Sequence, residues 1–413
     1  MTATLYKHLK PKAPTLSDLH QKYDAVLQLV NVLIGTIPNC DVVMEIWPTS
    51  FKTYNLLVPN LLHLPNSLFG SKSVKKLMGL AMYESSAGAG CNYCTAHCCS
   101  FAMRRGISKS TIAGNPSPQE AAVIDFSRKM GAVPCRATQE DLKTLQAHCS
   151  PKEVEAISMG IVLMGFLNKF MDVVGVELEQ DSLDDVYDLL KDTDWQTGKH
   201  VEGTPTVTVP NKTVKADSWS TYLKVLRQAP RAIKLEKQWL RDIPKPENKI
   251  KAVLKDNIGY YFPLLEKLQR DKLKRTFVAV LSDNFSEKNT VIGLRTKIIS
   301  SLVFCAVADN PTLENYFLQL ANANKIEISA ELHQVLVQFT NNQAIYFEWD
   351  GLSANDQTIV AFTKHASKSP STIHASLIDT ITQQLSAEGI IELSTWLSIV
   401  QMLYRLEKLP MLG

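Results

Sequence analysis

Apolar residues recur at helical spacing along most of the chain, most clearly in 18–37, 74–83, 119–130, 139–147 and 151–174. Several of these runs carry start signals. Ser117 precedes Pro118, Thr138 precedes Gln139 and Glu140, and Ser150 precedes Pro151, so a side-chain oxygen stands ready to accept from the first free N–H groups. The pattern predicts an all-α protein. One strand-like stretch interrupts it, 204–214, where β-branched residues alternate around Pro205 and Pro210. It lies in a polar segment, 196–217, containing Gly198 and Gly203, which reads as a linker with at most a short edge strand.

The apolar pattern also repeats. At an offset of 221, Lys76-Leu77-Met78 falls on Lys297-Ile298-Ile299, Ala102 on Ala323, and Ile107-Ser108 on Ile328-Ser329. At an offset of 236, Phe126 falls on Phe362, Arg128 on Lys364, Pro134 on Pro370 and Ser150 on Ser386, and 155–173 overlays 391–409 without a gap. The second half must therefore insert residues within 332–352. Two gap-free blocks in the same order predict a tandem duplication of one helical module. The expected organisation is a first domain over 1–195, a linker over 196–217 and a second domain over 218–413, packed as a pseudo-dimer. Two domains also suit 413 residues, too many for one ordinary core.

Composition narrows the function classes. The 44 basic and 41 acidic residues nearly balance, so the chain lacks the basic excess of a nucleic-acid binder. No stretch approaches the ~20 apolar residues of a membrane span, and 1–12 has lysines but no apolar run of a secretory signal. A cytoplasmic, reducing setting is expected. No haem, flavin or nicotinamide fingerprint is present, so no cofactor is expected.

Eight cysteines are present, at 40, 91, 94, 98, 99, 135, 149 and 305. Four fall within nine residues, a clustering that suits redox or metal chemistry better than a disulfide framework. The segment runs from Glu84 through Gly88 and Gly90 to Cys91-Asn92-Tyr93-Cys94, then His97-Cys98-Cys99. The glycines predict a break and then a helix whose first turn holds Cys91. Cysteines three apart there can close a disulfide, and free N–H groups favour the thiolate. His97 sits where it can exchange a proton with Cys94, and Glu84 is a candidate to orient it. At the offset of 221, Glu84, Cys91, Cys94 and His97 fall on Cys305, Thr312, Asn315 and Leu318, so the second half keeps the apolar pattern without the chemistry.

The plain alternative for Cys91 and Cys94 is a pair of small buried apolar residues. Zinc is a sharper one, but ligands on barely two turns of one helix do not easily surround a tetrahedral ion, so no metal is expected. His97 and Glu84 are candidates only through their neighbours. Cys98, Cys99 and the isolated cysteines read as core, and the lysine-rich 241–255 as a solvated face.

Glu…Cys-x-Tyr-Cys…His resembles the core motif of the alkylhydroperoxidase D-like, or carboxymuconolactone decarboxylase, superfamily. The stretch from Gly165 through Asn168 and Asp172 to Glu177 resembles that family's closing helix, and the likeness covers about 50–180. The resemblance implies that Cys94 attacks a hydroperoxide, Cys91 resolves the sulfenic acid as a disulfide, and His97 and Glu84 relay the proton. The family histidine stands four residues after the second cysteine, where this chain has Cys98; His97 comes one residue early. An organic hydroperoxide is the implied substrate, given Leu80, Ala81, Tyr83 and Phe101 nearby. An external dithiol or disulfide reductase is the implied reductant, and a homo-oligomer the implied assembly. Two other readings stand beside this one. A chain arranged like a sestrin would be mainly an interaction or sensor protein, although sestrins keep only one of the two cysteines. A muconolactone-type decarboxylase would leave the cysteine pair unexplained.

Overall fold

The computed structural model describes residues 3–64, 69–209, 212 and 214–409. The protein is all-α, and among these residues no strand is present. The major helices are α1 (Leu16–Ile34), α2 (Pro48–Leu61), α3 (Lys72–Ala89), α4 (Asn92–Arg104), α5 (Pro118–Gly131), α6 (Gln139–His148) and α7 (Pro151–Val174). After the linker come α8 (Trp219–Trp239), α9 (Asp271–Asn284), α10 (Leu294–Val307), α11 (Pro311–Ala323), α12 (Ala330–Asn341), α13 (Ala354–Ser367), α14 (Ala375–Gln384) and α15 (Ala387–Lys408). The start signals are used as the sequence implies. Ser117 with Glu120, Thr138 with Asp141 and Ser150 with Glu153 each form a reciprocal capping box. α1 stops short of residue 37, because Gly35 turns left-handed at φ 94°.

Helix bounds recur at the offsets read from the sequence. Displaced by 236, α5 falls on α13, α6 on α14, and the start of α7 on the start of α15. Displaced by 221, α3 covers α10, and Ser108 falls on Ser329; each of these serines caps the helix that follows it. The additional residues of the second half lie in α12, twelve residues long where its counterpart Lys109–Ile112 has four, and in the irregular segment after it.

α7 and α15 cross at the centre and bury their sides in one continuous hydrophobic core shared by both halves. Gly165 permits the approach: a Cβ there would stand 2.9 Å from Met402 Cα. Gln401, which falls on Gly165 at the offset of 236, donates Nε2 to the Gly165 carbonyl at 3.2 Å. Lys169 and Arg405 correspond in the same way, and each reaches into the other half. Lys169 Nζ donates to the Ala366 and Lys368 carbonyls at the end of α13, both at 2.6 Å. Arg405 donates to the Gly131 carbonyl at the end of α5 (3.0 Å), to Ser85 Oγ (2.8 Å) and to the Ile161 carbonyl (3.1 Å). Burial lowers the Lys169 pKa to about 7 and that of Arg405 to about 10. α7 is long and apolar enough to cross a membrane, but its side chains are almost all packed inside the protein.

Two expectations change. The described part of 204–214 is irregular rather than an edge strand; Pro210, Asn211 and Thr213 lie outside the described residues. Proline at either end denies the ladder a donor, and Asp184 takes the Thr208 N–H (2.8 Å) and hydroxyl (2.5 Å) instead. The linker is also not free: His200 is buried and its Nδ1 stands 2.6 Å from the Val176 carbonyl, while Asp217 pairs with buried Arg105 at 3.2 Å. α8, the first helix beyond the linker, packs chiefly on α1 of the first half, through Val225 against Leu33.

The crossing yields a prediction. Gly165→Val drives methyl groups into the α15 backbone and costs about 1–3 kcal/mol or more. Urea unfolding of the full chain should show the midpoint fall, with the variant and wild-type curves coinciding only if the helices do not meet there.

Candidate redox site

The turn between α3 and α4 creates the site. Gly90 closes α3 in the left-handed region at φ 67°, and its N–H and that of Cys91 return to the Ala87 and Ser86 carbonyls. A Cβ on Gly90 would stand 2.7 Å from Pro370 Cδ, so the second half presses directly on this turn. α4 then begins at once, with Cys91 at its N-cap and Cys94 in its first turn. This shifts the expected register by one position: Cys91 stands just before the helix, and the thiol inside its first turn is Cys94. Both are buried free thiols, close enough for Cys91 to bear on the titration of Cys94. Burial and then the Cys91 hydrogen bond push the Cys94 pKa well above that of an ordinary thiol, so a base must take its proton.

Cys94 and His97 border the same cavity, with about 570 Å³ of empty space counting its mouth. Its walls are largely Leu, Ile, Val, Met and aromatic side chains, with Cys40 and Cys98 as further thiols; no Lys, Arg, Asp or Glu lines it. Cys91 does not line it. Cys98, one turn after Cys94, is pushed up to about 12 by burial, against the Ser86 hydroxyl at 3.8 Å.

The carboxylate on His97 is Glu179. Its Oε2 lies 2.6 Å from His97 Nε2, while Oε1 accepts from Tyr93 Oη (2.7 Å) and from the Asn39 N–H (2.5 Å). Burial opposes ionisation of Glu179, but His97 and these donors outweigh it and hold the carboxyl below its usual range. The Tyr93 ring also lies 4.5 Å from that of His97 and so fixes its plane. Glu84, the carboxylate expected from sequence, is elsewhere occupied. It pairs with Arg128 Nε of α5, and burial raises its pKa against the pull of that guanidinium. The reason is rotational: with α3 continuous to Ala89, Glu84 faces α5, whereas His97 faces the segment after α7.

Several contributors had no role in the sequence reading. Glu179 lies 82 positions from His97, and no spacing rule links them. Arg405 adds positive charge that reaches Cys94 and Cys91 from the second half. Its signal was present as the basic residue matching Lys169. Asp41, beside cavity-lining Cys40, is buried with neither oxygen hydrogen-bonded, and burial and then Glu179 push its carboxyl up to about 8.

No family model matches the chain, and no curated protein matches it. Among solved structures, the crystal structure of the debrominase Bmp8 without ligand is 21% identical, over 42% of this chain and 95% of that one, with a TM-score of 0.36. That likeness is too slight to carry an argument about fold or activity.

Asp41 gives this subsection's prediction. Its folded pKa is raised, so its protonated form contributes stability that is fully present below the ordinary value of 3.8 and is lost as pH rises through about 8. Asp41→Asn should abolish that loss, so that the variant gains on wild type as pH rises from acid to alkaline. Urea midpoints across that range check it; parallel curves would show an Asp41 without the shift.

Proposed function

We propose that the protein is a thiol-dependent peroxidase of the alkylhydroperoxidase D-like kind, reducing organic hydroperoxides through Cys94 and Cys91. One observation carries this reading: Cys94 opens onto an apolar cavity beside His97, while Cys91 adjoins it off the cavity wall. The geometry supports the division of labour that the family resemblance implies, with Cys94 attacking and Cys91 resolving. It supports His97 and Glu179, in place of Glu84, as the proton-handling pair.

The chemistry balances with these groups. His97 takes the Cys94 proton, and the thiolate attacks the terminal peroxide oxygen. The O–O bond breaks, and His97 returns the proton to the departing alkoxide as an alcohol. The Cys94 sulfenic acid condenses with the Cys91 thiol, releasing water and forming a disulfide. An external dithiol reduces that disulfide by exchange, a requirement that suits a reducing, cytoplasmic compartment. Glu179 stabilises the imidazolium while the proton is in transit. The apolar walls favour an organic peroxide over a small polar one.

The architecture belongs to the same proposal. We infer that the halves are copies of one module joined as a pseudo-dimer. Recurring helix bounds support this, as do the reciprocal reach of Lys169 and Arg405 and the meeting of Gly165 with its own counterpart Gln401. Contacts of residue with counterpart are the mark of a two-fold interface. The second half then acts as the partner subunit that completes the first, without a redox pair of its own.

Stoichiometric cumene hydroperoxide added to reduced protein, followed by thiol counting and peptide mapping, should reveal a Cys91–Cys94 disulfide that is absent in Cys94→Ser. Unchanged thiols in a folded protein would sink the reading. His97→Gln should slow the oxidation roughly 10²-fold in stopped-flow assays, within the range for a lost proton-transfer group.

A further inference from the structure

α8 carries a surface that the redox site does not use. Trp219, Leu223, Leu226 and Ile233 are 81%, 64%, 55% and 43% exposed, and their spacing puts them, with exposed Pro230, on one stripe about 21 Å long. Val225, on another face, is buried against α1. Beside the stripe run Lys224, Arg227, Arg231 and Lys234, all exposed and, among the described residues, without an ion pair or hydrogen bond. The helix's one acid, Glu236, is turned inward onto Lys272 and Asn60.

We propose that α8 docks the protein on an anionic lipid bilayer, with the apolar stripe in the headgroup–acyl boundary and the cations on lipid phosphates and carboxylates. An amphipathic helix with tryptophan and leucine on one side and unpaired Lys and Arg on the next is the chemistry such a surface recognises. Charge selects this occupant. A purely apolar protein partner has no use for four unpaired cations along one edge, and a second copy of α8 would meet them with four more.

The position suits an apolar substrate. α8 rests on α1 through Leu33, and the next residue, Ile34, borders the cavity that holds Cys94. Docking itself does not depend on the peroxidase reading, and its test reads no activity.

The test is flotation of the full chain with phosphatidylcholine vesicles, with and without added phosphatidylserine. The protein should float with the anionic vesicles only and be released by molar salt, which screens such contacts within a few ångströms. Leu223→Glu and Leu226→Glu should abolish flotation. Arg227→Ala and Lys234→Ala should each lower partitioning about fivefold. These side chains are on the surface, so thermal unfolding should match wild type and separate lost docking from lost folding. Flotation on neither vesicle, equal flotation on both, or flotation unaffected by Leu223→Glu would overturn the proposal. So would a lipid-independent dimer in sedimentation that Leu226→Glu dissolves, which would assign the stripe to a second copy.

Discussion

The structure depends on the crossing of α7 and α15. Both helices are buried on almost every side, and packing them against one another and their neighbours removes a large apolar surface from solvent at once. The crossing is close because Gly165 has no side chain, and it is fixed in register because Lys169 and Arg405 each find carbonyls only in the opposite half. A buried cation without such partners would cost several kcal/mol. Sliding one helix along the other breaks both sets of bonds together. The two halves are therefore held as one body, and the turn carrying Cys91 and Cys94 is formed partly against Pro370 and within the field of Arg405.

On the proposed reading, that arrangement would let a buried thiol pair be both quiet and reactive. Burial keeps the Cys94 proton in place in the absence of substrate. Under the proposal, the helix start, the Arg405 charge and the His97–Glu179 pair would favour the thiolate when a peroxide occupies the cavity. The acid on His97 is itself pinned by Tyr93 and Asn39, so the imidazole has little freedom to leave its position. Burial pushes the neighbouring Asp41 carboxyl up to about 8, so it adds little competing negative charge at neutral pH.

Much of this was legible in the sequence, for physical reasons that differ by feature. The helices were, because apolar spacing and Ser/Thr caps are local: Ser117, Thr138 and Ser150 cap as their neighbours imply. The recurrence of helix bounds at the offsets of 221 and 236 was also legible, because apolar spacing and caps mark where each helix begins and ends. The cysteine pair was visible as a cluster, and the positions 221 residues on, Thr312 and Asn315, carry no thiol. Glu179 was not, since its place beside His97 depends on how the chain turns after α7, a tertiary fact. Glu84 misled for the complementary reason: it lies near the motif in sequence, yet an unbroken α3 rotates it toward Arg128. The linker strand failed because the prolines deny a ladder its donors and Asp184 takes the Thr208 N–H and hydroxyl.

The central claim is that Cys94, not Cys91, meets the peroxide. Trapping the sulfenic acid tests it most directly. Cys91→Ser and Cys94→Ser proteins, treated with stoichiometric cumene hydroperoxide in the presence of dimedone, are mapped by peptide mass spectrometry. The account predicts a dimedone adduct on Cys94 in the first protein and none on Cys91 in the second. An adduct on Cys91 in the Cys94→Ser protein, with Cys94 unlabelled in its counterpart, would contradict it.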